Sequence, residues 1–282
     1  MIKHMYNGIM SSIDFIKMHG LGNDFVIIDL RKQNLEISNR AVKSIANRRT
    51  GVGCDQLIAI EEPKKSENDV RLRIWNADGG EVGACGNAMR CVGHLILKET
   101  NKVEIAIETV SGIIKVNSKK EGKLSVDMGP PRIHWNEIPL ATECDTLSLD
   151  ITINGLKDPV GVSMGNPHVV FFVEDICAVD LDKIGPQIEN HPLFPARVNV
   201  GIAKILDNNQ LRLRVWERGV GITNACGTGA CAAVVAGVRR NLISRSVSVN
   251  LDGGILEIEW QSSNNRVIMT GPVSTSFQGT LV

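Results

Sequence analysis

The feature that most constrains this chain is that it repeats itself. "RLRIWNADGGEVGACG" from Arg71 to Gly86 returns as "RLRVWERGVGITNACG" from Arg212 to Gly227, an offset of 141 positions (212 − 71). The two passages share Arg71, Leu72, Arg73, Trp75, Gly80, Ala84, Cys85 and Gly86. Weaker echoes extend the match along the chain: "GNDFVII" from Gly22 with "GNPHVVF" from Gly165, Gln56 with Asn199, "GIIKV" from Gly112 with "GILEI" from Gly254, and "VDMGP" from Val126 with "VIMTGP" from Val267. One unit of about 140 residues used twice predicts two similar domains rather than a short-period solenoid.

Short β-branched runs with period-two character, such as "RLRIW", "VEIAIETV" and "KLSVDM" in the first half and "VSVNL", "ILEIEW" and "RVIM" in the second, predict strands joined by tight turns. Two segments read as helices, 86–99 and 227–240, and both finish in cationic or polar residues as a helix C-terminus favours. The second carries only Ala, Val, Gly and Cys through its middle, which predicts a buried helix. The expected architecture is therefore α+β: two pseudo-symmetric domains from an internal duplication, each a mostly antiparallel β-roll around a central helix. A doubly wound α/β fold is the weaker reading, because too few helices alternate with strands. The domain boundaries are expected at 1–128 and 129–271.

Lys plus Arg balance Asp plus Glu at 31 each, so nothing points to nucleic acid or an anionic membrane surface. No apolar run reaches the roughly 20 residues of a spanning helix, and "MIKHMYNGIMSSID" lacks a signal-peptide core. The expectation is a cytoplasmic protein whose first dozen residues are a ragged extension. Seven cysteines, an odd number widely spread, suit free thiols in a reducing compartment. Cys54, Cys144 and Cys177 read as small buried hydrophobes, and Cys91 and Cys231 as helix core.

Cys85 and Cys226 differ, because each immediately precedes a helix and is followed by Gly and a small polar residue: Gly86-Asn87 and Gly227-Thr228. The unpaired N–H groups and positive dipole of a helix start stabilise a thiolate, and they also cradle an anion such as a carboxylate. A thiolate and a thiol on opposite faces of a carbon can remove one proton and return another, which inverts a stereocentre. Positioned acid and base groups supply about 10² to 10⁴ in rate, so fixed dipoles must also stabilise the carboxylate's developing charge. No metal and no cofactor is then required. Zinc is a weak alternative, since Cys-x5-Cys and Cys-x4-Cys lack the usual paired spacing, and a thiol redox module is a rival of another class.

At these residues the sequence resembles the diaminopimelate epimerase family. "KMHGLGNDF" at 17–25, "NADG" at Asn76, "CGN" at Cys85, "SMGNPH" at Ser163, "ERG" at Glu217 and "ACGTGACA" at Ala225 follow that family's signatures in order. The resemblance implies a cofactor-independent enzyme that interconverts LL- and meso-diaminopimelate for lysine and peptidoglycan precursors, with its site in the interdomain cleft. It implies Cys85 and Cys226 as the acid/base pair and His168 and Glu217 as polar support for the thiols. Asn23, Gln56, Asn76, Asn166, Asn199, Glu217 and Arg218 become substrate contacts, and Gly86, Asn87, Gly227 and Thr228 the helix-start cradle. It further implies that the last strand, about 272–282, returns to the first domain. A homodimer is compatible with the family, although the sequence itself fixes no oligomeric state. Where the family commonly has C-G-N-G-x-R-C, this chain has Ala88 at the second glycine. Related cofactor-independent racemases share paired cysteines but are not expected to share "HGLGNDF", "NADG" and "ERG" together.

Overall fold

The structure, a computed structural model, describes residues 12–31, 35–83 and 85–281. Most of the N-terminal extension, and Ala84 of the repeat, therefore lie outside the described residues. The chain divides into two compact units, Met1–Val126 with Pro272–Val282, and Asp127–Gly271.

The first unit contains β1 (Ile13–Gly20), β2 (Asn23–Asp29), α1 (Asn39–Ala46), β3 (Gln56–Glu61), β4 (Val70–Asn76), β5 (Glu81–Val82), α2 (Gly86–Thr100), β6 (Glu104–Thr109), β7 (Gly112–Ser118) and β8 (Leu124–Asp127). The second contains β9 (Thr152–Ile153), β10 (Leu156–Lys157), β11 (Val160–Ser163), β12 (Pro167–Phe172), α3 (Leu181–Glu189), β13 (Asn199–Asp207), β14 (Gln210–Glu217), β15 (Gly221–Thr223), α4 (Gly227–Arg239), β16 (Ser246–Leu251), β17 (Gly254–Trp260) and β18 (Val267–Gly271). The final strand β19 (Ser274–Leu281) pairs antiparallel with β1.

The duplication extends to the strand pairing around each central helix. In the first unit β2 runs parallel to β3, β3 antiparallel to β4, β4 antiparallel to β5 and parallel to β6, and β6 antiparallel to β7. The second repeats each relation with β12, β13, β14, β15, β16 and β17. Each unit thus holds two parallel pairs among its antiparallel ones. A parallel pair needs a crossover, and a helix supplies it: α1 between β2 and β3, α2 between β4 and β6, and α3 and α4 at the matching places.

The repeated "RLRIW" and "RLRVW" show why the register is firm. Leu72 and Ile74 of β4, like Leu213 and Val215 of β14, are fully buried, while the alternating arginines stay half-exposed. A one-residue slip would drive the arginines into the core. Arg71 and Arg73 instead reach Glu61 and Glu81.

The two segments read as helices are α2 and α4. Ala230 to Gly237 of α4 are buried on every side, whereas α2 emerges into solvent over its last residues, Lys98, Glu99 and Thr100. Two glycines bring these helices close to their surroundings: a Cβ at Gly93 would stand 2.5 Å from Val116 Cγ1, and one at Gly237 2.6 Å from Ile243 Cδ1. Cys91 and Cys231 are core residues, and burial pushes the Cys91 thiol up to about 12. Cys54 is buried as expected, but Cys144 is only half-buried and Cys177 is exposed in the turn closed by Asp175.

Candidate active site

In the first unit Cys85 is the N-cap of α2, with extended backbone (φ −146°, ψ 115°) and a half-buried side chain. The first intrahelical bond runs from Met89 N to Cys85 O, so the preceding N–H groups at Gly86, Asn87 and Ala88 have no carbonyl one turn back within the helix. Cys85 Sγ donates to Asn23 Oδ1 at 3.8 Å, and Asn87 Nδ2 donates to the same oxygen at 3.2 Å. Asn23 opens β2, and the chain preceding it turns through left-handed Leu21 and Gly22. Gln56 and Asn76 face each other across β3 and β4, with Gln56 Nε2 donating to Asn76 Oδ1 at 2.9 Å. Among the described residues Gln56 Oε1 is buried with no hydrogen-bond partner, which leaves an acceptor for a donor group.

In the second unit Cys226 caps α4 with similar backbone (φ −118°, ψ 108°), and its side chain is buried. Cys226 Sγ lies 3.6 Å from Thr228 Oγ1. Asn166 Nδ2 donates to that hydroxyl oxygen at 3.2 Å, and His168 Nε2 lies 3.0 Å from Asn166 Oδ1. Because Asn166 presents its carbonyl oxygen to the ring, Nε2 is the donating nitrogen. Burial, helped by the Arg218 charge, holds His168 down to about 3, so the imidazole is neutral at physiological pH.

Glu217 ends β14 beside the thiol, and Thr223 Oγ1 donates to its Oε1 at 2.5 Å. The Cys226 thiol is raised well above its ordinary value, by burial first and then by the Glu217 carboxylate, which also accepts its S–H. Thr228 and the Gly229 N–H pull the other way and lose. The helix start was expected to favour thiolate; at Cys226 desolvation and a facing carboxylate outweigh the dipole.

Asn199 plays a bracing part. Its Nδ2 donates to Pro167 O at 2.8 Å and its Oδ1 accepts from Arg218 N at 3.0 Å, which ties β13 to the start of β12 and to the turn after Glu217. Arg218 sends Nη1 to Ala196 O. Sequence reasoning missed Glu189, which is almost fully buried and accepts from Trp216 Nε1, Gly219 N and Arg197 Nη1, fixing the same turn. It also missed Thr223, Asp55 and Arg90; Asp55 precedes Gln56, and Arg90 lies one helical turn from Asn87. Among the described residues no cluster of His, Cys, Asp and Glu could hold a metal ion, and no helix is long and apolar enough to cross a membrane.

Two units with one pairing scheme, each placing a cysteine at the start of its central helix, define a class of duplicated fold. That fold is shared with a hydroxyproline epimerase from Agrobacterium vitis solved with trans-4-hydroxy-L-proline (TM-score 0.72, 14% identity, covering 96% of this chain and 93% of that one). It is also shared with a phenazine biosynthesis protein of the PhzF family from Bacillus anthracis (TM-score 0.69, 15% identity, covering 97% and 100%).

Within that class the chain belongs to the diaminopimelate epimerase family, whose model matches residues 15–134 and 160–276. A diaminopimelate epimerase from Phenylobacterium zucineum is 52% identical over 271 residues, covering 95% of this chain and 97% of the relative.

Proposed function

We propose that this chain converts LL-2,6-diaminopimelate to meso-diaminopimelate by two-base proton transfer, with no cofactor. The observation that carries the reading is a cysteine at the same helix start in both repeats of a chain belonging to this family. One thiolate takes the α-proton, leaving a carbanion stabilised as the enediolate of the neighbouring carboxylate. The other thiol then delivers its S–H proton to the opposite face, and the roles exchange for the reverse reaction. The mechanism requires Cys85 and Cys226 to address one carbon.

The helix-start N–H groups at Gly86 and Asn87, and at Gly227 and Thr228, supply fixed dipoles for the reacting carboxylate, the larger contribution in reactions of this kind. The unpartnered Gln56 Oε1, with Asn76 beside it, suits an ammonium donor, and Glu217 and Arg218 offer one charge of each sign. Asn23, Asn166 and Asn199 complete the substrate contacts, and His168 steadies Asn166 as a neutral donor. The same reading places the enzyme in the cytoplasm, in lysine and peptidoglycan-precursor biosynthesis, with a homodimer as the assembly to test by sedimentation.

The deciding experiment incubates the protein with LL-diaminopimelate in deuterated water. Deuterium at the α-carbon together with meso product supports the reading. Turnover of proline or another single amino acid, with none of diaminopimelate, would replace it by a relative's activity.

A further inference from the structure

A chain of hydrogen bonds runs beneath Cys85 and is anchored by a charge at each end. Arg90, fully buried in α2, donates from Nη2 to Asn87 Oδ1 at 2.8 Å. Asn87 Nδ2 donates to Asn23 Oδ1 at 3.2 Å, and Asn23 Nδ2 donates to Asp55 Oδ2 at 3.0 Å. An amide can in principle sit either way round, and only its partners decide. Here both ends are decided. Turning Asn87 over would aim its NH2 at a guanidinium, which has no acceptor, and turning Asn23 over would aim its oxygen at a carboxylate.

Asp55 is itself held firmly. Its Oδ1 accepts from Arg48 at 2.7 Å, its Oδ2 also accepts from Asp24 N at 3.0 Å, and its own N–H donates to Asp24 Oδ1 at 2.9 Å. Asp24 pairs with Arg48 and with buried Lys17, and although burial opposes it, these two cations hold its carboxyl well below the usual range. At the other end the space beside Arg90 depends on Gly20, where a Cβ would stand 3.0 Å from Arg90 Nη2.

We propose that Asp55 and Arg90 are positioning residues that lock the Asn23 and Asn87 amides so that an acceptor, Asn23 Oδ1, faces the Cys85 sulfur. The resting Cys85 then keeps its proton as a donor, and the thiolate forms only when a ligand or the reaction displaces that contact. This deepens the reading of Cys85 as a reacting thiol, but its test needs no turnover, so failure of the substrate assignment would leave it standing.

The experiment measures carbamidomethylation of Cys85 in the full-length protein at fixed neutral pH, by peptide mass spectrometry, with Cys226 followed in the same digest. Asp55→Asn is close to isosteric and removes the carboxylate that fixes Asn23, so that the Asn23 amide can turn its NH2 to the sulfur by giving up its 3.2 Å contact with Asn87 Nδ2. The expected result is a rise of about threefold or more in the Cys85 rate, with Cys226 unchanged, because a donor now favours thiolate. The rise should persist in roughly 0.5 M salt, which would screen a simple loss of charge. Adding Asn23→Asp to Asp55→Asn restores an oxygen at the sulfur and should bring Cys85 back to the parent rate or below it, because a carboxylate also disfavours a neighbouring thiolate. The assignment is overturned if D55N leaves Cys85 at the parent rate, if salt abolishes the rise, if both cysteines rise together, or if the double variant stays as reactive as D55N.

Discussion

The two helix starts carry the same backbone and the same thiol, yet they surround the sulfur differently. Cys85 is half-buried and meets a neutral amide oxygen fixed from a distance by Arg90 and Asp55. Cys226 is buried and meets a full carboxylate, Glu217, while a neutral histidine works through Asn166 and Thr228. Duplication preserved the thiol and its helix while the polar groups around it diverged. In both halves the sulfur faces an acceptor, and at Cys226 burial and that carboxylate favour the protonated thiol.

The sharpest way to break the comparison is to remove one thiol at a time. Either Cys85→Ala or Cys226→Ala should cut epimerisation by about 10³ or more, since one face of the carbon loses its acid or base. Each variant should still exchange the α-proton of one stereoisomer, and a different one in each case. NMR in deuterated water reads both quantities. A single variant with parent-level epimerisation ends the two-base mechanism, and loss of exchange on the same isomer in both would show that the halves are not reciprocal.

Acid should separate the two units. His168 is buried neutral, its value held down to about 3 from 6.5 by burial and by Arg218. A depressed folded-state value gives stability that is fully present above about 6.5 and lost as pH falls towards 3. The loss amounts to roughly 3 kcal/mol by pH 4 at about 1.4 kcal/mol per unit. His168→Gln keeps a side-chain N–H donor and should flatten that part of the profile. Denaturant unfolding at pH 7 and pH 4 measures the slope, and hydrogen exchange should show β11, β12 and β13 opening before β2, β3 and β4. Equal acid slopes for parent and variant would remove His168 as the cause.

Glu217→Gln tests the charge that most distinguishes the two sulfurs. A carboxylate disfavours a neighbouring thiolate, so its neutral amide should lower the Cys226 value and shift the rise in thiolate ultraviolet absorbance to lower pH. Turnover should fall about 10- to 100-fold as the proton balance at Cys226 changes. An unchanged titration would mean that burial alone raises this thiol.

How far these differences could be read beforehand depends on their range in the chain. The repeated "RLRIW" and "RLRVW" announced their strands because alternation is local, and α2 and α4 were visible because small and apolar residues run on without interruption. The helix α1 has only two turns, and α3 contains Gly185 and Pro186, so neither gave a helical pattern despite good caps at Ser38 and Asp180. Both thiols stood out by their place before a helix. What faces them did not, because Asp55 reaches Asn23 only through the parallel register of β2 with β3, and Glu217 meets Cys226 across a strand turn. The sign of the Cys226 shift was missed for the same reason, since a helix start is a local signal and desolvation is not.

The smallest test concerns the two positions three residues after the thiols. Ala88 in α2 corresponds to Gly229 in α4 at the repeat offset (229 − 88 = 141), and Ala88 is fully buried. A Cβ at Gly229 would stand 3.3 Å from Cys226 Sγ and 3.1 Å from Val215 Cγ2, tight enough that the sulfur or the valine must give. Gly229→Ala should therefore lower turnover despite its better helix propensity. Ala88→Gly should cost about 1 kcal/mol, from helix propensity and a lost buried methyl, and is read as a lower unfolding midpoint with little change in activity. If A88G instead raises activity, the methyl is crowding the Cys85 cradle, and the first unit needs the same room at this position that the second keeps.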